Sequence, residues 1–314
     1  MSARAAFLPA CYRRETVKKV LLCALLLCAT RTALAAPLDA AKNETPIAAP
    51  ANPQAISQIP QGFAFVEPGY LTVATANTNS PPLGLLASDN KTRIGSDADF
   101  ARLLADSLGL KLRLVPASWE DWPLGVTAGR YDVAMFNIAV TEERKKKFDF
   151  ATYRADGHAF LVKANSPISS INKAEDIAGL RIIVGSGTNQ ERILLGWDAQ
   201  NRARGLKPVT PVYLTDEAAA TLTLLSGRAD ALFGPQSMAA WKVASRGDTK
   251  IVGYGPVRSW VAVTTKKGNG LAEALQTAVN GTIAGGEYRQ VLSRWGEQNE
   301  AIAASTVNPP GIVY

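Results

Sequence analysis

Arg144 is the side chain best placed to grip an anion in this sequence, and the residues leading to it from Trp119 explain why. A short helical piece runs into Ala128-Gly129, where glycine suits a C-terminal cap. Tyr131 to Phe136 is an apolar run of buried-strand length, and Asn137 to Val140 leaves that strand. Thr141 is a good N-cap, and Glu142 and Glu143 fall in the first turn of a helix, where acids complement the dipole. Arg144 lies on the same turn. A strand end, free backbone N–H groups, a helix start and a guanidinium therefore converge, and the fork of an arginine can hold a carboxylate through two parallel hydrogen bonds. Taken alone, Arg144-Lys145-Lys146-Lys147 also fits the start of a solvated basic face.

A second turn, Gly185-Ser186-Gly187-Thr188-Asn189, opens another helix and could offer N–H groups to an anion. It lacks the Gly-Lys-Ser/Thr of a phosphate loop, so by itself it fits a structural turn equally well. Catalytic chemistry has little to work with. His158 is the single histidine and falls in a strand, and neither a His/Cys metal set nor a nucleophile–base pair is visible. Catalytic residues, metal ligands and cofactors are expected to be absent.

These turns need strands and helices to aim them. Tyr70 to Ala76 is a first strand, and Ser80-Pro81-Pro82 marks the loop after it. Gly95 opens a helix with Phe100, Leu103, Leu104 and Leu108 at helical spacing and Gly109 as cap, and Leu112 to Val115 is the next strand. Strand–helix–strand order implies parallel pairing. The pattern repeats: strands at Arg181 to Val184, Val209 to Leu214 and Ala229 to Phe233, helices at Gln190 to Ala203 and Asp216 to Leu225, the latter capped by Thr215. Tyr254 to Val263 runs back toward the first unit, and Gly270 to Ile283 and Glu287 to Trp295 are closing helices.

Thr141-Glu142-Glu143-Arg144, the lysines after it and Phe148-Asp149-Phe150 match in order and spacing a Thr-x-x-Arg turn, a basic run and Phe-x-Phe/Tyr. On these residues, and on Gly95-Ser96-Asp97-Ala98-Asp99 as a Gly-x-Asp-x-Asp helix opening, the chain resembles the extracellular solute-binding proteins of family 3, receptors of polar amino acid ABC transporters. The resemblance covers roughly Tyr70 to Gly296. It implies an α/β, two-lobe fold of the type II periplasmic binding protein kind, with two crossings and a ligand cleft between the lobes: residues 66–160 with 257–314, and residues 161–256. It also implies that Arg144 grips a ligand carboxylate, helped by Thr141, the Ala139 N–H and Asn137. Gly187, Thr188 and Asn189 would contact that carboxylate from the second lobe. Trp119 would line the ligand, and Asn77 and Ser80 match first-loop positions. Ser80 replaces the usual aromatic, which leaves Trp260 to supply a lid.

The main departure is Pro235, where the family carries the aspartate that neutralises an α-ammonium. Proline offers no charge and no donor. Gln236 is next and can hydrogen-bond, but it is neutral. Either another acid, Asp156 or Asp121, reaches the ammonium, or the ligand has no free α-ammonium; the second is favoured here.

The chain has 314 residues, 47% hydrophobic and 19% charged, long enough for one large domain or two lobes. Arg13, Arg14, Lys18 and Lys19 precede the apolar run Val20 to Ala29, and Ala33-Leu34-Ala35 offers a small-x-small cleavage site. Residues 1–35 therefore read as a secretory signal peptide cleaved near Ala35; the apolar core falls short of the ~20 residues that cross a bilayer. Residues 36–65, rich in Ala, Pro, Asn and Gln, read as a flexible tether. Without residues 1–35 the charge drops from +7 to +2, with 28 basic against 26 acidic residues, too balanced for nucleic acid binding. The expected protein is a monomeric periplasmic receptor. It takes a small, polar, carboxylate-bearing, amino-acid-like solute and hands it to an inner-membrane ABC permease. An enzyme on the same scaffold (a dehydratase or lytic domain) or a ligand-presenting sensor is the alternative.

Cys11, Cys23 and Cys28 all precede the cut, and Leu27 is too large for the residue before a lipidated cysteine. The exported protein should therefore start near Ala36 and carry no lipid, which an intact-mass measurement on periplasmic material decides; a lipid on Cys28 would overturn the export route.

Overall fold

The computed structural model describes residues 43–314; the expected signal peptide and the start of the expected tether lie outside the described residues. After helix α1 (Pro53–Ser57) come strands β1 (Tyr70–Ala76), β2 (Leu85–Leu86) and β3 (Arg93–Ile94), then α2 (Ser96–Ser107), β4 (Lys111–Ala117), α3 (Trp122–Thr127) and β5 (Val133–Ala134). Strands β6 (Phe148–Asp156) and β7 (His158–Lys163) follow, then β8 (Arg181–Val184), α4 (Asn189–Ala203), β9 (Thr210–Tyr213), α5 (Glu217–Leu225), β10 (Ala231–Pro235) and α6 (Gln236–Arg246). The rest comprises β11 (Thr249–Tyr254), β12 (Ser259–Lys266), α7 (Leu271–Gly285) and α8 (Glu287–Trp295).

These elements form two α/β lobes, each around its own sheet, in the orders β4-β1-β5-β12-β6 and β11-β7-β10-β8-β9. In the first, β1 pairs parallel with β4 and β5, as its strand–helix–strand order requires, while β12 runs antiparallel to β5 and β6. The chain passes to the second sheet at Gly157 and returns between Tyr254 and Ser259. Both crossings bring backbone close to a side chain. A Cβ on Gly157 would stand 2.5 Å from Gln236 Oε1, and one on Gly255 would stand 2.8 Å from the Cβ of His158.

Phe100, Leu103, Leu104 and Leu108 bury one stripe of α2 against Leu275, Tyr288 and Trp295. The other face of the first sheet covers Trp122, Phe136, Phe148 and Phe150. In the second lobe Phe160 stacks on Phe233 at 4.1 Å and 9°. Each such side chain contributes about 1.5–3 kcal/mol by leaving water, so the two crossings join lobes that hold themselves together.

Several local expectations change. The helix expected after Thr141 is one 3₁₀ turn, Arg144–Lys146, because Phe148 must already pair with Lys266 in β6. The strand expected from Tyr131 to Phe136 keeps only Val133–Ala134 in the ladder. The next turn places Asn137 at φ 53, a left-handed conformation that asparagine tolerates best among residues with a side chain. Asp216, not Thr215, caps α5, its carboxylate accepting from Ala219 N at 2.7 Å. Pro116 lies within β4, at the sheet edge where a missing donor costs nothing. The tether is corrected from Asn43 onward. Ala55 is fully buried, Asn52 N donates to Ser107 O at 2.8 Å, and the Asn52 side chain reaches Thr277 O. Small residues allow close approach to α7, which composition alone does not reveal.

A charge cluster ties α2, β6 and the residues after α8 together. Arg154 is fully buried; its guanidinium bonds Glu300 and stands 3.6 Å from both Glu297 and Asp97. Its Nη2 donates to Asn137 Oδ1 at 2.8 Å, and Asn137 Nδ2 donates to Asp156 Oδ2 at 2.9 Å. Three carboxylates thus share one guanidinium, and Asp156 joins the cluster through Asn137. Burial pushes Glu300 up to about 9 and Glu297 up to about 7 from 4.5, against the opposing pull of Arg154.

Two predictions follow from this packing. Asn52 caps α1 by accepting from Gln54 N and Ala55 N. Asn52→Ala should cost about 1 kcal/mol in urea unfolding, whereas a loose tether would show no change. The raised carboxyls bind protons more readily folded than unfolded. Their contribution is complete below the unfolded pKa of 4.5 and is lost as pH rises through about 7 and about 9. Melting temperature should therefore fall across that window, and Glu300→Gln should flatten its upper part; an unchanged profile would count against the shared-proton cluster.

Candidate functional site

Two adjoining cavities lie where the lobes face each other. The central one, about 200 Å³, is well beyond the ~10–15 Å³ that one water requires. Its first-lobe wall sets the polar side chains Thr75, Asn77, Ser80, Asp97 and Asn137 among apolar ones such as Leu83, Ile94 and Phe136. Its second-lobe wall combines Leu214, Leu232, Phe233, Pro235 and Met238 with the polar Asn189, Thr215 and Glu217. The other cavity, about 340 Å³, holds Arg144, Lys147 and Arg192 together with Thr141, Gly187 and Tyr314. Trp119, Thr188 and Asn189 border both.

Arg144 lies in this second, basic cavity. Thr141 Oγ1 accepts from Arg144 N at 3.1 Å, which starts the 3₁₀ turn and aims the side chain. Val140 N donates to Trp260 O and Ala262 N to Ile138 O, leaving the Ala139 carbonyl to accept from Arg144 Nη1 at 2.9 Å. Arg144 Nη2 reaches Gly187 O in the second lobe at 3.3 Å. Its guanidinium stands 5.3 Å from the Trp119 ring and 5.9 Å from Trp122, in cation–π range. Burial lowers the Arg144 pKa to about 10, reinforced by the like charge of Arg192 and opposed by Glu143 and Tyr314. Both neutral carbonyls and aromatic faces solvate the cation, but neither cancels its charge.

The second-lobe turn forms as its sequence suggests. Gly187, at φ 72, makes the bend, and Thr188 caps α4 by accepting from Glu191 N at 3.1 Å. The same hydroxyl donates to Gly185 O at 2.7 Å, and Gly187 N donates to the Glu191 carboxylate at 2.6 Å. Trp119 Nε1 donates to Ser186 O at 3.0 Å, so the indole closes the gap between the lobes. Asn189 is buried, its Nδ2 2.6 Å from His158 Nε2, and burial lowers the histidine's pKa. Neutral His158 thus accepts from Asn189 and fixes its amide beside the cleft.

The expected residues therefore divide. Asn77, Ser80, Trp119, Asn137, Thr188 and Asn189 border the central cleft, whereas Thr141, Arg144 and Gly187 border the basic cavity. The Asn137 amide is engaged on both sides by Arg154 and Asp156. Gln236 and Trp260 border neither cavity; Gln236 sits at the Gly157 crossing, its N–H donating to Gly157 O at 3.0 Å. Of the acids considered for an ammonium, Asp156 is held by Asn137 and Asp121 by Ser118, both away from the cleft. Asp97, bonded to Tyr153 OH at 2.6 Å, is the buried acid on the cleft wall. Sequence reasoning used Asp97 only as a helix-opening motif. Tyr314 and Arg192 carried no sequence signal for this place.

Comparison with known proteins agrees with this architecture. The chain is 33% identical to the L-cystine-binding protein TcyJ of Escherichia coli K12 over 220 residues, 69% of this chain and 77% of that protein. It is 30% identical over 130 residues to a cyclohexadienyl dehydratase of Pseudomonas aeruginosa, covering 40% of this chain and 48% of that enzyme. An ancestral arginine-binding protein solved with arginine superposes with a TM-score of 0.65 at 28% identity, over 72% of this chain and 98% of its own. Among the described residues no helix is long and apolar enough to cross a membrane. Residues 71–298 match the bacterial extracellular solute-binding proteins, family 3, and the chain belongs to that family.

Proposed function

We propose that this chain is the periplasmic receptor of an ABC importer and binds a small, carboxylate-bearing, amino-acid-like solute between its lobes. The observation that carries the reading is Arg144. Among the described residues it has no carboxylate partner within salt-bridge distance and is held by one carbonyl from each lobe. A half-buried cation without a counter-charge is left poorly solvated, and a solute carboxylate supplies that charge. In this reading Thr141, Ala139, Gly187 and Thr188 shape the carboxylate's surroundings. Trp119 and Asn189 form the partition along which the rest of the solute enters the central cleft, toward Asn77, Ser80 and Asn137. Closure of the lobes excludes water and strengthens the charge pair.

Residues 1–35 serve as the export signal, and the chain acts as a monomer with its permease. No catalytic step is assigned: His158 is occupied in holding Asn189. The cystine- and arginine-binding relatives support an amino-acid-like ligand, while the dehydratase relative keeps one check in place. Solute recovered chemically unchanged after incubation separates a receptor from an enzyme.

The second-lobe wall is apolar where the family places its ammonium acid, with Pro235 beside Phe233 and Met238. Calorimetry on the purified protein with L-cystine, L-arginine and their N-acetyl and 2-oxo counterparts should favour the ligands without a free α-ammonium. In Arg144→Ala the best of these should lose about 3–5 kcal/mol of binding, with the melting temperature little changed. Unchanged affinity in that variant would sink the site. Ordinary α-amino acids bound at micromolar strength or better, about −8 kcal/mol, would shift the ammonium contact to Asp97.

A further inference from the structure

The residues after 298 lie beyond the family match, yet they run back to the mouth of the basic cavity. The segment first adds to the outer edge of β6. Thr152 N donates to Thr306 O at 3.1 Å, Asn308 N to Phe150 O at 3.0 Å, and the Asn308 side chain bonds Phe150 N and Asp149. It then clamps the Arg144 turn: Ile312 N donates to Val140 O at 3.1 Å, Glu142 N to Ile312 O at 3.2 Å, and Gly311 N to Glu142 Oε1 at 2.7 Å. Gly311 is required there, since a Cβ would stand 2.8 Å from the Thr141 backbone. Up to this point every partner is in the first lobe.

Tyr314 breaks that pattern. Its ring lies 5.4 Å from the guanidinium of Arg192, which belongs to α4 of the second lobe. Arg192 also pairs with Glu143 of the first lobe. The phenol is half-buried at the rim of the basic cavity, and burial raises its pKa to about 12, so the ring presents a neutral face to Arg192 at physiological pH.

We infer that residues 308–314 form a latch: the strap is anchored on the first lobe, and Tyr314 walls the Arg144 cavity while gripping Arg192 of the second lobe. The latch biases the lobes toward closure and controls access to the basic cavity. Trp119 to Ser186 O and Arg144 to Gly187 O are the neighbouring cross-lobe contacts that it reinforces. This device works without any particular solute, so its test is independent of the ligand reading.

Thiol labelling measures it. In a full-length parent with Cys11→Ala, Cys23→Ala and Cys28→Ala, Ser80→Cys places the one thiol in the cleft, where Ser80 is 8% exposed. With opening faster than labelling, the maleimide reaction rate is proportional to the open population wherever the balance lies. Losing a partly exposed cation–π contact should raise that rate about 2- to 5-fold in Tyr314→Ala. Ending the chain after Pro310 should raise it further, and Tyr314→Phe, which keeps the ring, should retain the parental rate. Equal rates in the parent and the shortened chain overturn the latch, as does a Tyr314→Phe rate matching that of Tyr314→Ala.

Discussion

A positive charge withdrawn from water must be answered, and this fold treats fully buried Arg154 and half-buried Arg144 in opposite ways. Arg154 is enclosed on all sides and paired with carboxylates from α2 and from the residues after α8. Arg144 is sheltered by two tryptophan rings and two carbonyls and has no acid bonded to it among the described residues. The first arrangement spends its counter-charge within the protein and sets the shape of the first lobe. The second leaves the charge available. An arginine stays protonated at any physiological pH, so such a site is selective for anions before any solute contact is considered.

The two arginines are coupled through Asn137. Its left-handed turn directs the chain from β5 toward the Arg144 turn, and its amide is locked between Arg154 and Asp156. Asn137 therefore holds the geometry of the cleft floor, where a freely rotating amide would adapt to many ligands. His158 does the corresponding work in the second lobe by accepting from Asn189. Polar side chains beside a cleft often face inward to neighbours in the wall. Here that orientation pre-organises the cavity, which lowers the ordering cost of binding.

The division of the cleft by Trp119 is a consequence of its hydrogen bond to Ser186 O. On one side Arg144, Lys147 and Arg192 gather; on the other both walls mix polar and apolar side chains, with Pro235, Phe233 and Met238 forming an apolar patch on the second lobe. In the proposed reading, a solute that spans both places its anionic end on the basic side. Pro235 adds an apolar surface at the family's acid position, while Asp97 of the first lobe and Glu217 of the second also border this cavity.

Much of this was legible in one dimension. The spacing of Phe100, Leu103, Leu104 and Leu108, the strand–helix alternation and the Thr-x-x-Arg turn are short-range patterns, and each maps directly onto a face or a turn of the structure. Family membership rests on the same local signals. What they leave open is which distant segments meet. Arg144 finds Gly187 at a separation of 43 residues and Trp119 finds Ser186 at 67. The cap that Asn52 makes beside Thr277, the burial of Ala55 and the arrival of Tyr314 at Arg192 have no periodicity to announce them. Local backbone preference acts over a few residues, whereas these contacts exist only where the fold brings distant segments together, within the first lobe for Asn52 and Ala55 and between the lobes for the others.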